Sequence, residues 1–402
     1  MLLLLRKGLR QLVASAVATA LFAVAPGLAT ASGQSQRPIC PGPVVGAARC
    51  HAHVITDRSG RPLATSGPTG YGPAQFHGAY SLPATAPQVQ TIAIVDAYDD
   101  STIEKDLGTY SSTFGLPPCT TANGCFRKVN QSGVQGSYPQ KNAGWALEIA
   151  LDVETAHQIC QNCKILLVEA SSNSFANLAA AVDTAARLGA TQISNSYGGS
   201  EFSSEAIDAS FDHPGIAITA SSGDSGYGAD YPASSPYVIA VGGTTLNLVN
   251  LGSNAYAYGS EGVWGGSGSG CSAYLLAKSW QTSDPSWPRT GCDSKRAVAD
   301  VAADADPNTG ASVYDSTRYQ GQSGWFKVGG TSLSAPLIAG VYALAGDAGS
   351  VQYPASLPYA NRAGLHDITS GSNGSCGTIM CNAATGYDGP TGLGTPNGSA
   401  SF

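Results

Sequence analysis

Short apolar segments and helical patterns alternate along the chain from residue 91 onward. The predicted strands are 91–96, 164–170, 192–196, 216–221 and 237–241, and the predicted helices are 101–114, 143–159, 175–188 and 203–211. This alternation indicates right-handed crossovers, so we expect an α/β fold in one domain, with a mostly parallel sheet and helices on both of its faces. Functional residues of such folds collect at the carboxyl ends of strands, where Asp96, Asn195 and Asp224 lie.

The first 88 residues differ from the rest in composition. A basic start precedes an apolar stretch and an Ala-x-Ala cleavage sequence at 29–31, so we predict a signal peptide over 1–31 and a secreted protein without a membrane anchor. Residues 32–88 are rich in Pro and Gly with little periodicity, which predicts an extended N-terminal segment ahead of a domain at 89–402. Without the signal peptide, 17 basic and 27 acidic residues remain, and this negative balance argues against a nucleic-acid partner.

Ten cysteines, an even number, are typical of a disulfide-bonded exported protein. They lie in pairs of near neighbours, which predicts five local disulfides, the first of them within the N-terminal segment: Cys40–Cys50, Cys119–Cys125, Cys160–Cys163, Cys271–Cys292 and Cys376–Cys381. For Cys160 and Cys163, which have the spacing Cys-x-x-Cys, the alternative is a redox or zinc motif. An oxidising compartment and the lack of matching histidine ligands disfavour it.

A candidate nucleophile, Ser332, lies in the sequence GGTSLSAP at 329–336, where a glycine pair leads into an apolar helix. Free backbone N–H groups and the helix dipole favour developing negative charge at such a position. This pattern suggests a triad like that of subtilisin, which needs a histidine base. None of the six histidines follows the first strand at a helix start, where that fold would place it. We therefore expect a base of another kind.

Glu148 and Asp152 lie one helical turn apart in the helix predicted at 143–159, so their side chains share one face. Two adjacent carboxyl groups tend to share a proton, which raises the pKa of one of them, and such a pair can accept the proton of a serine. The alternative is a solvated acidic helix face. Asp224, at the end of an apolar strand, can stabilise an oxyanion only when protonated, which implies an acidic working pH. The alternative here is an aspartate that caps its own turn.

Taken in order, these segments resemble the sedolisin family, the serine-carboxyl peptidases. The similarity covers residues 89–402 and rests on ExxxD at 148–152, ISNSYGG at 193–199, SGDSG at 222–226 and GTSxSAP at 330–336. Tyr197 stands where the family usually has tryptophan. The resemblance implies a subtilisin-like fold with one catalytic domain. It also implies roles for four residues: Ser332 as nucleophile, Glu148 as base, Asp152 as its partner and Asp224 as the oxyanion residue. Asp96 is a candidate supporting acid or simply a strand-end aspartate.

The resemblance also implies a calcium site near the C-terminus. Its ligands would be the side chains of Asp367 and Asp388 and the backbone carbonyls of Ile368, Ala384 and Gly386. Two carboxylates and several carbonyl oxygens suit a hard cation such as Ca²⁺. Ala384 stands where the family usually has glycine. Without the resemblance, the same residues indicate only an acidic loop.

Together these inferences predict a secreted, calcium-stabilised, monomeric endopeptidase that cleaves protein or peptide substrates at acidic pH. The family usually carries a long folded propeptide, for which residues 32–88 are too few, so autoprocessing stays open. A non-catalytic binding protein that keeps the fold is one alternative, favoured by the missing propeptide and by Tyr197. An esterase is another, disfavoured because the chain has no Gly-x-Ser-x-Gly sequence.

Overall fold

The computed structural model of the protein describes residues 35–42, 45–203 and 208–402, so the predicted signal peptide at 1–31 lies outside the described residues. Residues 34–402 form one compact unit. Its strands are β1 Ser35–Pro38, β2 Arg49–Cys50, β3 His53–Thr56, β4 Thr91–Ala97, β5 Phe126–Asn130, β6 Lys164–Ala170, β7 Gln192–Asn195, β8 Tyr197–Ser200, β9 Ala217–Ser221, β10 Asp230–Tyr231, β11 Ile239–Gly252, β12 Ala255–Val263, β13 Gly270–Leu276, β14 Lys295–Val298, β15 Val301–Asp304, β16 Ala311–Tyr319, β17 Gln322–Gly329, β18 Leu365–His366 and β19 Thr395–Pro396. Its helices are α1 Pro73–Ala79, α2 Ile103–Phe114, α3 Ala143–Ile159, α4 Phe175–Arg187, α5 Ser279–Thr282, α6 Thr331–Ala345 and α7 Leu357–Ala360.

The centre of the fold is a sheet with the strand order β12-β11-β9-β7-β4-β6-β5, and β15 also pairs with β11. Its neighbouring strands are parallel except for the β11–β12 hairpin. β4 and β6 are buried at nearly every position, which is why their sequences are continuous apolar runs. The predicted α/β fold with a mainly parallel sheet is therefore confirmed.

Two buried helices, α3 and α6, pack against one another beside this sheet. The side chain of Asn142 caps α3 by accepting hydrogen bonds from Gly144 N and Trp145 N. Gly346, in the left-handed conformation with φ 76°, ends α6. Residues 145–159 of α3 are all buried, so this helix has no solvated face. The alternative interpretation of Glu148 and Asp152 as a solvated acidic face is therefore excluded.

The N-terminal segment, residues 35–42 and 45–56, contributes strands to the fold. β1, β3, β17 and β16 form a four-stranded antiparallel sheet, and β2 pairs with β8. The sequence predicts an extended lead-in here and no pairing partner. Strands of two to four residues are too short to show the two-residue periodicity from which pairing could be predicted.

All five predicted disulfides are present and confirmed. The helix predicted at 203–211 lies partly outside the described residues, at 204–207, and its described part ends in a 3₁₀ turn at Ala209–Phe211. Within the described ranges, no helix combines the length and the apolar character that crossing a bilayer requires.

Candidate active site

Ser332 lies in the first turn of α6, directly after β17, so the helix start predicted around it is correct. Gly330, between the two elements, has a φ of 101°. A Cβ atom at Gly330 would stand 2.2 Å from the carbonyl oxygen of His51 and 2.5 Å from Asp224 Oδ2. Glycine is therefore required by both the conformation and the space. Ser332 is fully buried, and its Oγ donates to the carbonyl oxygen of Ser196 at 3.1 Å.

Three buried carboxyl groups interact with one another, namely Glu148 and Asp152 on α3 and Asp96 in β4, and Glu148 lies beside the Ser332 hydroxyl. None of their oxygens has a hydrogen-bond partner among the described residues. Burial raises the pKa of Glu148 well above its ordinary value, and Asp96 raises it further, whereas the nearby Ser332 hydroxyl moderates the rise. Burial, then Asp96 and Glu148, raise the pKa of Asp152 in the same way. Because the three groups cannot all carry charge in this setting, they share protons.

Asp224 follows β9 and reaches the start of α6. Its Oδ1 accepts hydrogen bonds from Thr331 N at 2.8 Å and from Thr331 Oγ1 at 2.7 Å. Its Oδ2 lies 3.6 Å from His53 Nε2 and has no hydrogen-bond partner among the described residues. The carboxyl group is thus fixed through one oxygen and keeps the other free beside Gly330. Because this contact joins Asp224 to Thr331 at the start of α6, Asp224 does more than cap its own turn.

His51 also reaches the site, although no motif in the sequence indicates a role for it there. Its carbonyl oxygen accepts a hydrogen bond from Ser332 N at 2.9 Å. Its imidazole contacts Ser221 Oγ through Nδ1 at 2.8 Å and lies 3.4 Å from Asp230 Oδ2 through Nε2. The contacts of the ring are thus with Ser221 and Asp230, while the backbone of His51 contacts Ser332.

The five residues of the implied calcium site lie together in a separate loop region near the C-terminus. Asp367 Oδ2 accepts from Gly386 N at 3.0 Å, and Asp388 Oδ2 accepts from Ala384 N at 3.0 Å. Ile368, next to Asp367, is buried. Burial raises the pKa of Asp388 to about 7, and the neighbouring Asp367 contributes to the rise. Two carboxylates that converge on one loop form a donor set that fits a hard cation.

Comparison with known proteins identifies the family to which this chain belongs. The family model described as Subtilase family matches residues 139–352. Sedolisin from Pseudomonas sp. (strain 101) is 28% identical over 380 residues, covering 83% of this chain and 61% of that protein. Kumamolisin from Bacillus sp. (strain MN-32) is 30% identical over 377 residues, covering 83% of this chain and 63% of that protein. The chain thus spans less than two thirds of the length of these curated relatives.

Solved structures give the same result. Pseudomonas sedolisin, a serine-carboxyl proteinase solved in complex with two molecules of pseudo-iodotyrostatin, matches with a TM-score of 0.67 at 28% identity, over 82% of this chain and 96% of that chain. Sphericase, with a TM-score of 0.53 at 18% identity over 83% of this chain and 99% of that chain, shares the fold. By its family match, its fold and these relatives, the chain belongs to the subtilase family, on its sedolisin branch.

Proposed function

We propose that the protein is a secreted serine-carboxyl endopeptidase that hydrolyses protein or peptide substrates at acidic pH. In this proposal Ser332 is the nucleophile, Glu148 the general base, Asp152 its partner and Asp224 the residue that stabilises the oxyanion. The observation that carries it is the burial of Glu148, Asp152 and Asp96 around a serine at a helix N-terminus. A serine hydroxyl needs an adjacent base to become a nucleophile. The Ser332 hydroxyl lowers the pKa of Glu148, which identifies Glu148 as the adjacent carboxyl group.

The first step requires a small rearrangement of Ser332. Its hydroxyl donates to Ser196 O, so rotation about the Cα–Cβ bond must turn it toward Glu148. Ser332 Oγ then adds to the substrate carbonyl carbon as Glu148 takes its proton, and Asp152 shares the resulting charge on the carboxyl pair. Burial favours this transfer because it makes the ionised form of Glu148 a stronger base than an exposed glutamate.

Oxyanion stabilisation falls to the Ser332 backbone N–H and to Asp224. Because Oδ1 of Asp224 is bound to Thr331, the free Oδ2 is the atom that would carry a proton toward the developing charge. An ionised Asp224 would repel the oxyanion instead. The proposal therefore requires a protonated carboxyl group at this position, and this requirement is the reason that it includes an acidic working pH.

The proposed Ca²⁺ site stabilises the fold and takes no part in bond cleavage. The side chains of Asp367 and Asp388 and the carbonyls of Ile368, Ala384 and Gly386 would hold the ion. Bound Ca²⁺ would offset the repulsion between the two carboxylates of this loop. Secretion is supported by the five disulfides, which persist in oxidising compartments.

The test compares two serines in the first turn of α6. Ser332→Ala should abolish cleavage of acid-denatured haemoglobin in acidic buffer. Ser334→Ala removes a buried hydroxyl that bonds only the carbonyl oxygens of Ala303 and Asp304, so this variant should keep most of the activity. Undiminished cleavage by Ser332→Ala, with both variants folded by circular dichroism, would refute the proposed nucleophile.

A further inference from the structure

Three buried aspartates from different elements bring their carboxyl groups together. Asp100 follows β4, Asp106 lies in α2 and Asp315 lies in β16. One oxygen of each lies within 4.8 Å of one oxygen of each of the others. All three residues are at most 1% exposed. Because a buried carboxylate is costly unless a hydrogen-bond donor or a cation faces it, every oxygen of this aspartate cluster needs a partner.

Backbone N–H groups fix each carboxyl group of the cluster through one oxygen. The bonds are Thr102 N to Asp100 Oδ1 at 2.9 Å, Ser316 N to Asp106 Oδ2 at 3.0 Å and Thr317 N to Asp315 Oδ1 at 2.6 Å. Such donors favour the ionised form of a carboxyl group. The second oxygens are Asp100 Oδ2, Asp106 Oδ1 and Asp315 Oδ2, which are buried and have no hydrogen-bond partner in the part of the chain that the structure describes. Three carboxylates that are fixed through one oxygen and unpartnered at the other form a donor set for a cation.

A fourth carboxyl group, that of Glu154 on α3, belongs to the same region. Its Oε2 accepts from Tyr314 N at 3.0 Å, and its Oε1 is also buried without a partner among the described residues. Burial raises the pKa of Glu154 well above its ordinary value, and the three aspartates raise it further. Burial likewise raises the pKa of Asp315 to about 8, with contributions from Asp100 and Asp106. These acids therefore repel one another when they ionise, and a cation among them would remove that repulsion.

A basic residue, Lys128, lies beside the cluster but is already paired. Its Nζ donates to the backbone carbonyl of Asp100 at 2.6 Å and forms ion pairs with Asp99 and Glu169. Its single charge is thus shared by two other carboxylates and does not neutralise the cluster. Asp100 also borders an open cavity of about 210 Å³, which gives water and ions a route to the aspartates.

We propose that Asp100, Asp106 and Asp315 form a cation site that takes Ca²⁺, separate from the loop of Asp367 and Asp388. Ca²⁺ binds oxygen at about 2.3–2.6 Å, so one ion can reach oxygens that lie up to about 4.8 Å apart. Mg²⁺, at about 2.0–2.1 Å, requires closer oxygens and a nearly ideal octahedron. The site does not depend on the peptidase function proposed above.

The bound ion connects three elements, because its ligands come from the loop after β4, from α2 and from β16. The protein supplies three side-chain oxygens of the roughly six to eight that Ca²⁺ takes, and water from the cavity supplies the others. We therefore expect a dissociation constant of about 0.1–1 mM, the range of extracellular modules. The site thus fills only when Ca²⁺ is supplied.

Differential scanning calorimetry of the full chain, stripped with chelator and dialysed into buffer above neutral pH, tests the site. Asp388→Asn removes a ligand of the proposed C-terminal site, so an effect of Ca²⁺ that remains arises elsewhere. We expect the Tm of Asp388→Asn to rise by roughly 2 °C in about 10 mM CaCl₂, relative to NaCl of the same ionic strength. Adding Asp106→Asn should abolish the rise, because asparagine can still accept from Ser316 N but carries no charge. No rise in Asp388→Asn, or the same rise in both variants, overturns the proposal.

Equilibrium dialysis against the same CaCl₂ counts the bound ions directly. We expect Asp106→Asn to bind one Ca²⁺ fewer than the wild type. Asp183→Asn is the matched control, because the Asp183 side chain is 51% exposed and contacts His213, so this variant should bind as many ions as the wild type. Equal counts for Asp106→Asn and the wild type, or an Asp388→Asn variant that binds no Ca²⁺, overturn the site. A loss of one ion in both Asp106→Asn and Asp183→Asn does so as well.

Discussion

The contact between α3 and α6 sets how closely Glu148 approaches Ser332, and Gly340 is the residue that permits it. Ser332 and Gly340 lie on α6, and Glu148 and Ile159 lie on α3, so one close contact aligns both helices. A Cβ atom at Gly340 would stand 2.5 Å from Ile159 Cγ2 and 2.8 Å from Ile159 Cβ. Gly340→Ala must therefore push the helices apart or distort Ile159.

Two opposing terms decide the size of this effect. Alanine in a helix interior is favoured over glycine by about 1 kcal/mol. Overpacking a buried contact costs about 1–3 kcal/mol, and here the closest atom belongs to a branched side chain in a buried helix. The net result should be a loss of up to about 2 kcal/mol in the free energy of unfolding. Gly108 on α2 is the matched control, because a Cβ there meets no atom within 4 Å. Gly108→Ala should instead gain about 0.5–1 kcal/mol.

Urea denaturation of both variants measures the difference, and peptide turnover measures its effect on the site. We expect Gly340→Ala to lose about tenfold or more in kcat, since small displacements of catalytic groups are costly. The double variant Gly340→Ala/Ile159→Ala should be more stable than the sum of the two single changes, because removing Cγ2 relieves the clash. Additive effects, or a Gly340→Ala variant as stable as Gly108→Ala, would refute this account of the contact.

Three further predictions concern stability. Burial raises the pKa of Asp100 to about 6 and that of Asp315 to about 8. The unfolded chain releases these protons near pH 4, so the folded state binds more protons between about pH 4 and pH 8 and the free energy of unfolding should fall over this range. Urea titrations with chelator present measure this dependence, and a rise would contradict the prediction. Chelation at neutral pH should lower the Tm of the wild type but not that of Asp388→Asn, by differential scanning calorimetry. Arg296 and Asp300 form a buried ion pair, and Arg296→Met should cost about 3–5 kcal/mol in urea denaturation because it strands the carboxylate.

The elements that the sequence predicts well are those buried on both sides. β4, β6 and β9 are continuous apolar runs, and α3 was identified as a helix even though it has no solvated face. Of the β11–β12 hairpin, the sequence predicts only a short strand at 237–241. Its outer half carries exposed apolar residues, with Val249 at 45% and Leu251 at 63% exposure, so the buried pattern that indicates a strand is absent there.

Part of the candidate site can be predicted because local chemistry constrains Ser332, Glu148 and Asp152. Ser332 needs the helix start that Gly330 makes possible, and Glu148 and Asp152 need one helical turn between them. The relation of these groups to Asp96 depends on sheet order, which the sequence of β4 alone does not contain.

The pairing of residues 48–50 with β8 and the loop before α4 could not be predicted, for a different physical reason. A strand that adds to a sheet edge supplies backbone N–H and carbonyl groups, which every sequence has, so the pairing of residues 48–50 leaves no signature in side chains. The disulfide between Cys40 and Cys50 fixes the loop that carries them but does not indicate its partner. Only the imidazole of His51 is specific, and it became meaningful once Ser221 and Asp230 were seen around it. The pairing of residues 48–50 therefore follows from the backbone, whereas the burial of His51 follows from the match of its imidazole to Ser221 and Asp230.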